Sequence, residues 1–216
     1  ALLLDVVEAV RLEDDPQGLL PGHVLELDGD LALDPRRELV EDPGHRRSDG
    51  VVGGLEGRWA YYPGASDRHQ AALEAHPEAE VLTDGSAPVT FITDLDPGDP
   101  AEICFTREFF GAVLGVVRIA GSDVATYLGN AVTFANEVLD GNLGANLIVQ
   151  PGVISKHAET FERAVRELRY GTIAVNSWVG VAFAMTRATW GGFPGNPRND
   201  IRSGNGIAHN ALMLDG

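Results

Sequence analysis

The chain has 216 residues, which is enough for one large domain, or slightly more, with a substantial hydrophobic core. Its 16 basic and 32 acidic residues give a formal net charge of −16, which argues against nucleic acid and anionic membranes as partners because both require a basic surface. A single cysteine excludes an internal disulfide framework, and no apolar run reaches the roughly 18 residues that a spanning helix needs. The first residues lack the basic segment of a signal peptide, so we expect a cytoplasmic protein.

Residues 1–56 carry few interpretable signals. Val7 and Val10, with their apolar neighbours, are consistent with a short amphipathic helix, and residues 23–27 predict a strand that leads into a turn. Several proline and glycine breakers separate these segments. We predict no site here, and we treat 1–56 as an unassigned, loop-rich segment that precedes an α/β part at 57–216.

The α/β part opens with a helix capped by Ser66 or Asp67. This helix ends before Pro77, because the residue that precedes a proline is disfavoured in the α region. Two apolar runs follow, at residues 80–83 and 88–93, and both predict strands.

Residues 107–119 run from a carboxylate and two aromatics into an apolar, β-branched segment. Such a segment predicts a strand that is buried on both faces, as in a parallel sheet. Glu108 and Phe110, just before the strand, are candidate ligand contacts. The alternative is a surface glutamate and a core phenylalanine at an ordinary junction between a loop and a strand.

The following segments alternate between helix and strand. A helix capped by Ser122 or Asp123 has apolar positions spaced by three and four, and Gly141 suits the left-handed position at its end. Apolar strands are predicted at 145–150 and 172–176, with a second amphipathic helix between them. Short apolar strands that alternate with helices are typical of parallel strands joined by right-handed crossovers, so the predicted fold class is α/β.

The chain becomes rich in glycine after Asn176, first at residues 190–197 and again at 203–206. Ligand sites in parallel sheets lie outside the carboxyl ends of the strands. Long loops in that place are more often functional than merely connecting.

Four segments together resemble the aldehyde dehydrogenase superfamily. Residues 108–114, Glu-Phe-Phe-Gly-Ala-Val-Leu, resemble its Glu-x-Phe-Gly-Pro-Val segment, and residues 135–145 resemble its Ala-Asn-x-x-x-x-Gly-Leu-x-Ala segment. Residues 168–176 resemble its Gly-Thr-Val-x-Val-Asn strand, and 191–192 with 203–206 resemble its Gly-Gly and Ser-Gly-x-Gly loops. The four occur in the family's order, and the resemblance covers about residues 100–213.

The resemblance implies an aldehyde dehydrogenase-like catalytic-domain segment and a role for each matching residue. Glu108 would accept hydrogen bonds from a ribose hydroxyl of NAD or NADP, and Phe110 would pack beside the nicotinamide ribose. Asn176 and Gly204, with their loops, would shape the rear of the aldehyde pocket. The resemblance further implies a small aldehyde as substrate and a homo-oligomer.

The sequence departs from the family at two positions of these segments. Asn142 is one extra residue in the second segment, and Ala112 stands where the family usually has proline. The alanine loosens the turn but removes no functional group.

The groups that carry out aldehyde oxidation are missing from the sequence. The reaction needs a thiolate nucleophile and a carboxylate base, which the family places well upstream of the Glu-x-Phe-Gly segment. Cys104 lies only four residues before Glu108 and has Arg107 as its only cationic neighbour in sequence, so we expect a buried structural cysteine. We therefore predict no catalytic residue in this chain. We also predict no metal site, because a single thiol does not suffice for a zinc site and the six histidines are not spaced as metal ligands. These histidines are His23, His45, His69, His76, His157 and His209.

Two functional hypotheses follow. In the first, the chain is part of an NAD(P)-dependent aldehyde dehydrogenase that oxidises an aldehyde to a carboxylic acid, and it is inactive by itself. In the second, it is a non-catalytic α/β module that serves as a scaffold or subunit. The missing nucleophile motivates the second hypothesis.

Overall fold

The computed structural model describes residues 60–86, 88–185, 188 and 190–204, together with the strand backbones of 7–11, 25–26 and 207–209. The chain divides into two compact units. One comprises Asp28–Arg118, and the other comprises Ala1–Leu27 and Ile119–Gly216. The boundary predicted between residues 56 and 57 lies outside the described residues and stays a prediction.

The elements of the unit Asp28–Arg118 are α1 (Ala65–Ala75), β3 (Glu80–Val81), β4 (Thr90–Leu95), α2 (Ile103–Thr106) and β5 (Val113–Val117). Its three strands form a sheet with the order β3-β4-β5. The pairing is antiparallel between β3 and β4 and parallel between β4 and β5.

The two helices of this unit begin and end for local reasons. α1 follows Gly64, whose φ of 74° is accessible to glycine at little cost, and it ends at His76, ahead of Pro77. The predicted end is therefore confirmed, whereas the predicted cap at Ser66 or Asp67 is wrong, because α1 begins at Ala65. α2 begins at Ile103 and is capped by Glu102, whose carboxylate accepts a hydrogen bond from the backbone N–H of Cys104.

The elements of the other unit are β1 (Val7–Arg11), β2 (Leu25–Glu26), α3 (Val124–Glu137), β6 (Gly144–Val149), α4 (Pro151–Lys156), α5 (Ala158–Glu167), β7 (Thr172–Val175), α6 (Val181–Ala184), β8 (Trp190–Gly191) and β9 (Ile207–His209). Four of its strands form a parallel sheet with the order β2-β1-β6-β7. A separate two-stranded antiparallel sheet contains β8 and β9.

The helix α3 has a side-chain cap and a buried face. The Asp123 carboxylate accepts hydrogen bonds from the backbone N–H groups of Ala125 and Thr126 at 2.9 and 3.0 Å, which satisfies two of the free donors of the first turn. Gly141, just beyond the helix, has a φ of 94°. Mostly apolar residues of α3, β6 and α5, and of the segment that follows α5, line a cavity of about 30 Å³, so these elements pack against one another.

The predicted α/β class is confirmed, but two further predictions are wrong. Residues 7–11 form β1 rather than a helix, because β6 offers them a parallel partner with Val7 opposite Asn146. β5 does not join β6 and β7 in one sheet; it pairs with β4 and is half-buried rather than buried on both faces.

None of the helices in the described part of the chain is long and apolar enough to cross a bilayer.

Gly121 and Gly129 provide a matched test of the packing around α3. A Cβ added at Gly121 would lie 2.5 Å from Cα of Tyr127, whereas a Cβ at Gly129 meets nothing within 4 Å. We expect Gly121→Ala to lower the free energy of unfolding by about 1–3 kcal/mol, because the backbone of α3 cannot yield. Gly129→Ala is the control and should raise it by about 0.5–1 kcal/mol. Equal effects in urea denaturation would contradict the close approach at Gly121.

Candidate functional site

The segment Glu108 to Phe110 forms a turn between α2 and β5. Phe109 is buried, with 7% of its surface exposed, while Glu108 and Phe110 are half-buried. Phe110 adopts a left-handed conformation with a φ of 54°, which is uncommon for a bulky residue and requires support from its surroundings.

Arg68 of α1 supplies that support. Its Nε donates a hydrogen bond to the carbonyl oxygen of Phe109 at 2.9 Å, and its Nη2 donates one to the carbonyl oxygen of Pro63 at 3.3 Å. The guanidinium carbon lies 5.0 Å from the centroid of the Phe110 ring, within the range of a cation–π interaction. Tyr62 packs edge-on against the same ring, with the two centroids 5.0 Å apart. Arg68 therefore fixes both the backbone of the turn and the ring of Phe110.

Burial raises the pKa of Glu108 above its ordinary value, and the nearby charge of Arg68 opposes this rise. A carboxylate that is partly removed from water retains strong acceptor capacity, because it offers two oxygens and has lost part of its hydration. Such a group is suited to accept hydrogen bonds from a diol.

Asn176 lies in the other unit, directly after β7. Its side-chain oxygen accepts a hydrogen bond from the backbone N–H of Val149, and its side-chain nitrogen donates one to the carbonyl oxygen of Val149, both at 2.8 Å. The carboxamide thus continues the pairing of β6 and β7 by one residue, with the backbone at a φ of 52°. A role in the aldehyde pocket stays a prediction.

Gly204 lies in a loop that a buried asparagine holds in place. The side chains of Asn142 and Asn196 exchange two hydrogen bonds, of 2.7 and 3.0 Å, and the Asn196 amide also donates to the carbonyl oxygen of Gly204. The backbone N–H of Asn142 donates to the hydroxyl oxygen of Ser203. Asn142, the extra residue relative to the family segment, therefore anchors the loop that contains Gly204. The pocket role of Gly204 also stays a prediction.

A group of three side chains that sequence reasoning missed lies where α1 ends and α2 begins, within the unit Asp28–Arg118. Nε2 of His76 lies 3.0 Å from Oε1 of Glu102, and ligand atoms of His76, Glu102 and Cys104 all lie within 4.8 Å of one another. Burial, together with the charge of Glu102, raises the pKa of the Cys104 thiol to about 12. The cysteine is half-buried rather than buried as predicted, and its structural role stays a prediction. No sequence spacing indicates the group, because 26 positions separate His76 from Glu102.

Comparison with solved structures identifies the architecture. The chain superposes on lactaldehyde dehydrogenase from Escherichia coli with a TM-score of 0.53 and 19% identity, covering 81% of this chain and 36% of that one. It superposes on aldehyde dehydrogenase from Bacillus cereus with a TM-score of 0.53 and 16% identity, covering 83% and 35%. It superposes on 3,6-anhydro-L-galactose dehydrogenase in complex with NAP with a TM-score of 0.53 and 17% identity, covering 79% of this chain and 35% of that one. The chain has the aldehyde dehydrogenase fold.

The resemblance that the four sequence segments predict is thus confirmed at the level of the aldehyde dehydrogenase fold. The chain spans little more than a third of the length of each of these dehydrogenases. No protein-family model and no curated protein sequence matches the chain.

The burial of Glu108 gives stability a pH dependence. Because the pKa is raised from 4.5 in the folded protein, the folded state holds a proton that the unfolded state releases. The stability linked to this group is therefore fully present below pH 4.5 and is lost as the pH rises through the folded pKa. We expect Glu108→Gln to have a larger free energy of unfolding than the wild type at pH 7, with a difference that shrinks towards pH 4.

Urea denaturation at a series of pH values measures this difference. Glu74→Gln, which changes an exposed carboxylate of α1, is the control and should leave the pH dependence of the wild type in place. A difference between Glu108→Gln and wild type that does not vary between pH 4 and pH 7 would show that Glu108 is not perturbed by burial.

Proposed function

We propose that the chain forms part of an NAD(P)-dependent aldehyde dehydrogenase, which oxidises an aldehyde to a carboxylic acid by transfer of hydride to the cofactor. One observation carries the proposal. Within the aldehyde dehydrogenase fold, a half-buried Glu108 stands two residues before a left-handed Phe110, in a turn that Arg68 fixes.

The chemistry of the turn suits one wall of a nicotinamide cofactor site. The Glu108 carboxylate can accept hydrogen bonds from two neighbouring ribose hydroxyls, since it has two acceptor oxygens. Phe110 offers an apolar ring for the flat face of a ribose or nicotinamide. Arg68 acts as a positioning residue, because it bonds the carbonyl oxygen of Phe109 and contacts the ring of Phe110. Hydride acceptance is the chemistry that the cofactor would supply.

The nucleophile and the general base belong, in this proposal, to a part of the enzyme outside these 216 residues. Cys104 is the only thiol of the chain, and its pKa of about 12 keeps it protonated at neutral pH. A protonated thiol does not attack an aldehyde carbonyl. We therefore expect the isolated chain to bind the cofactor weakly and to lack dehydrogenase activity.

The state of Cys104 also supports a second candidate, a non-catalytic α/β scaffold or subunit. A chain that acts without a nucleophile has no need for a carboxylate directed at a ribose, so cofactor binding at Glu108 separates the two candidates. Only the dehydrogenase proposal predicts that this binding depends on the charge of Glu108.

Ligand-observed NMR by saturation transfer, with the purified chain and NAD⁺ or NADP⁺, tests the proposal. We expect weak binding to the wild type and at least about tenfold weaker binding to Glu108→Gln, because a hydrogen bond to a charged group contributes about 1.5–3 kcal/mol. Glu74→Gln should bind as the wild type does. An equal affinity of wild type and Glu108→Gln, or no saturation transfer to the wild type, would reject Glu108 as a cofactor contact.

A further inference from the structure

His76, Glu102 and Cys104 come together from the ends of two short elements. His76 is the residue at which α1 ends, Glu102 caps the start of α2, and Cys104 lies in the first turn of α2. The Glu102 side chain is 7% exposed and that of His76 is 14% exposed, so water has little access to their contact. The three therefore place an imidazole, a carboxylate and a thiol in a shielded position.

A neutral His76 ring cannot donate a hydrogen bond in both of its contacts with carboxylates. Nε2 faces Oε1 of Glu102 at 3.0 Å, and Nδ1 faces Oε1 of Glu78 at 3.2 Å. A neutral imidazole carries one N–H and one lone pair, so in either tautomer one ring nitrogen would direct its lone pair at a carboxylate oxygen. A second proton on the ring satisfies both contacts, and so does a metal ion bound at Nε2.

Glu78 favours the metal ion because it holds Nδ1 in the arrangement found around metal-binding histidines. Such histidines usually donate their second ring N–H to a carboxylate, which fixes the tautomer and directs the other nitrogen at the metal. With the proton on Nδ1, the lone pair of Nε2 is directed towards Glu102, in the cluster that contains the Cys104 thiol.

We propose that Nε2 of His76, a carboxylate oxygen of Glu102 and Sγ of Cys104 bind one Zn²⁺ ion, with a water molecule as the fourth ligand. Zinc is bound by nitrogen, oxygen and sulfur ligands in tetrahedral geometry, and three protein ligands with a water are typical of its open sites. The ion joins the end of α1 to the start of α2. This proposal differs from the expectation, based on sequence spacing, that the chain has no metal site.

The dimensions of the cluster fit this ion if His76 and Glu102 move slightly apart and the most widely spaced ligand atoms move closer together. Zinc–ligand bonds of roughly 2.0 to 2.3 Å place tetrahedral ligand atoms about 3.3 to 3.6 Å apart, compared with 3.0 Å between His76 and Glu102 and at most 4.8 Å within the cluster. Gly115 of β5 provides the room for Cys104, since a Cβ there would lie 2.8 Å from Cβ and 3.3 Å from Sγ of the cysteine.

The proposal is tested by treating the full chain with a chelator to remove bound metal and then titrating the metal-free protein with Co²⁺. Cobalt takes the place of zinc and, unlike zinc, gives absorption bands that report its ligands. We expect a thiolate-to-cobalt charge-transfer band in the near ultraviolet that saturates at one ion per chain and is displaced by Zn²⁺. Since Cys104 is the only cysteine, this band can come from no other residue of the chain. A wild type without the band, or with a band that exceeds one ion per chain, would overturn the proposal.

Variants identify the other ligands. His76→Gln should abolish the saturable band while Cys104 remains, and a band of unchanged affinity in that variant would show adventitious binding to a thiol and overturn the proposal. Glu78→Gln keeps all three ligands but removes the partner of Nδ1, and we expect about tenfold weaker cobalt binding. Glu80→Gln, an exposed glutamate of β3, is the matched control and should bind as the wild type does. Circular dichroism of each variant confirms that it is folded.

The tests of the zinc site and of the proposed dehydrogenase function are independent, so that either proposal can be rejected without the other. Cobalt binding does not involve Glu108, and Glu108→Gln should retain the full charge-transfer band. Loss of the band in Glu108→Gln would show that the spectrum reports the folding of the unit rather than the three ligands, and it would overturn the assignment.

Discussion

The hydrogen bond from Arg68 to the carbonyl oxygen of Phe109 is the contact on which the candidate cofactor site depends. It joins α1 to the turn before β5 across 41 positions of sequence, and the same guanidinium faces the ring of Phe110. A hydrogen bond to a charged donor contributes about 1.5–3 kcal/mol, and a cation–π contact adds about 0.5–1 kcal/mol. Together these offset the strain of about 1–3 kcal/mol that a left-handed Phe110 costs. Loss of Arg68 would remove both contacts from the residues that directly follow Glu108. The position of the Glu108 side chain would then no longer be fixed.

The second unit uses buried asparagines for a similar purpose. Asn136 accepts a hydrogen bond from the backbone N–H of Arg169 and donates one to the carbonyl oxygen of Glu167, so it ties the end of α3 to the end of α5. Asn142 anchors the glycine-rich loop, and Asn146 accepts a hydrogen bond from the backbone N–H of Val179. Leaving one of these buried groups without a partner would cost about 1–3 kcal/mol. Side chains therefore help to hold the irregular segments that follow β7, in addition to the pairing of β8 with β9.

Local signals predict the helices well and the sheets only in part. The cap at Asp123 is confirmed, because capping chemistry acts over two or three residues, whereas the predicted end at Gly141 is wrong: α3 ends at Glu137 with Val138 as its C-cap, and only the positive φ of Gly141 agrees with the prediction. Residues 7–11 carry no comparable signal. Their strand conformation comes from pairing with β6, more than 130 positions away, and the pattern of valines alone is equally compatible with a helix. The predicted α/β class depends on the alternation of elements and does not require knowledge of partners.

In the candidate functional site, too, the features set by neighbouring residues are predicted from the sequence, and those set by distant partners are not. Glu108 and Phe110 are predicted because they belong to a contiguous segment that resembles a known family. Arg68, which fixes that segment, and His76, which faces Glu102, could not be predicted, because their contacts cross 41 and 26 positions. The resemblance also gives no reason for the extra Asn142, which the structure explains as the partner of Asn196.

The most direct test of the dehydrogenase account is the size of the native polypeptide, measured by immunoblot of cells that express it, with an antibody raised against this chain. The account predicts a band far above 23.0 kDa, since the nucleophile and the base must come from residues beyond these 216. The protein captured by the same antibody should form NADH or NADPH when an aldehyde is added. A single band at 23.0 kDa would contradict the account and favour the non-catalytic scaffold.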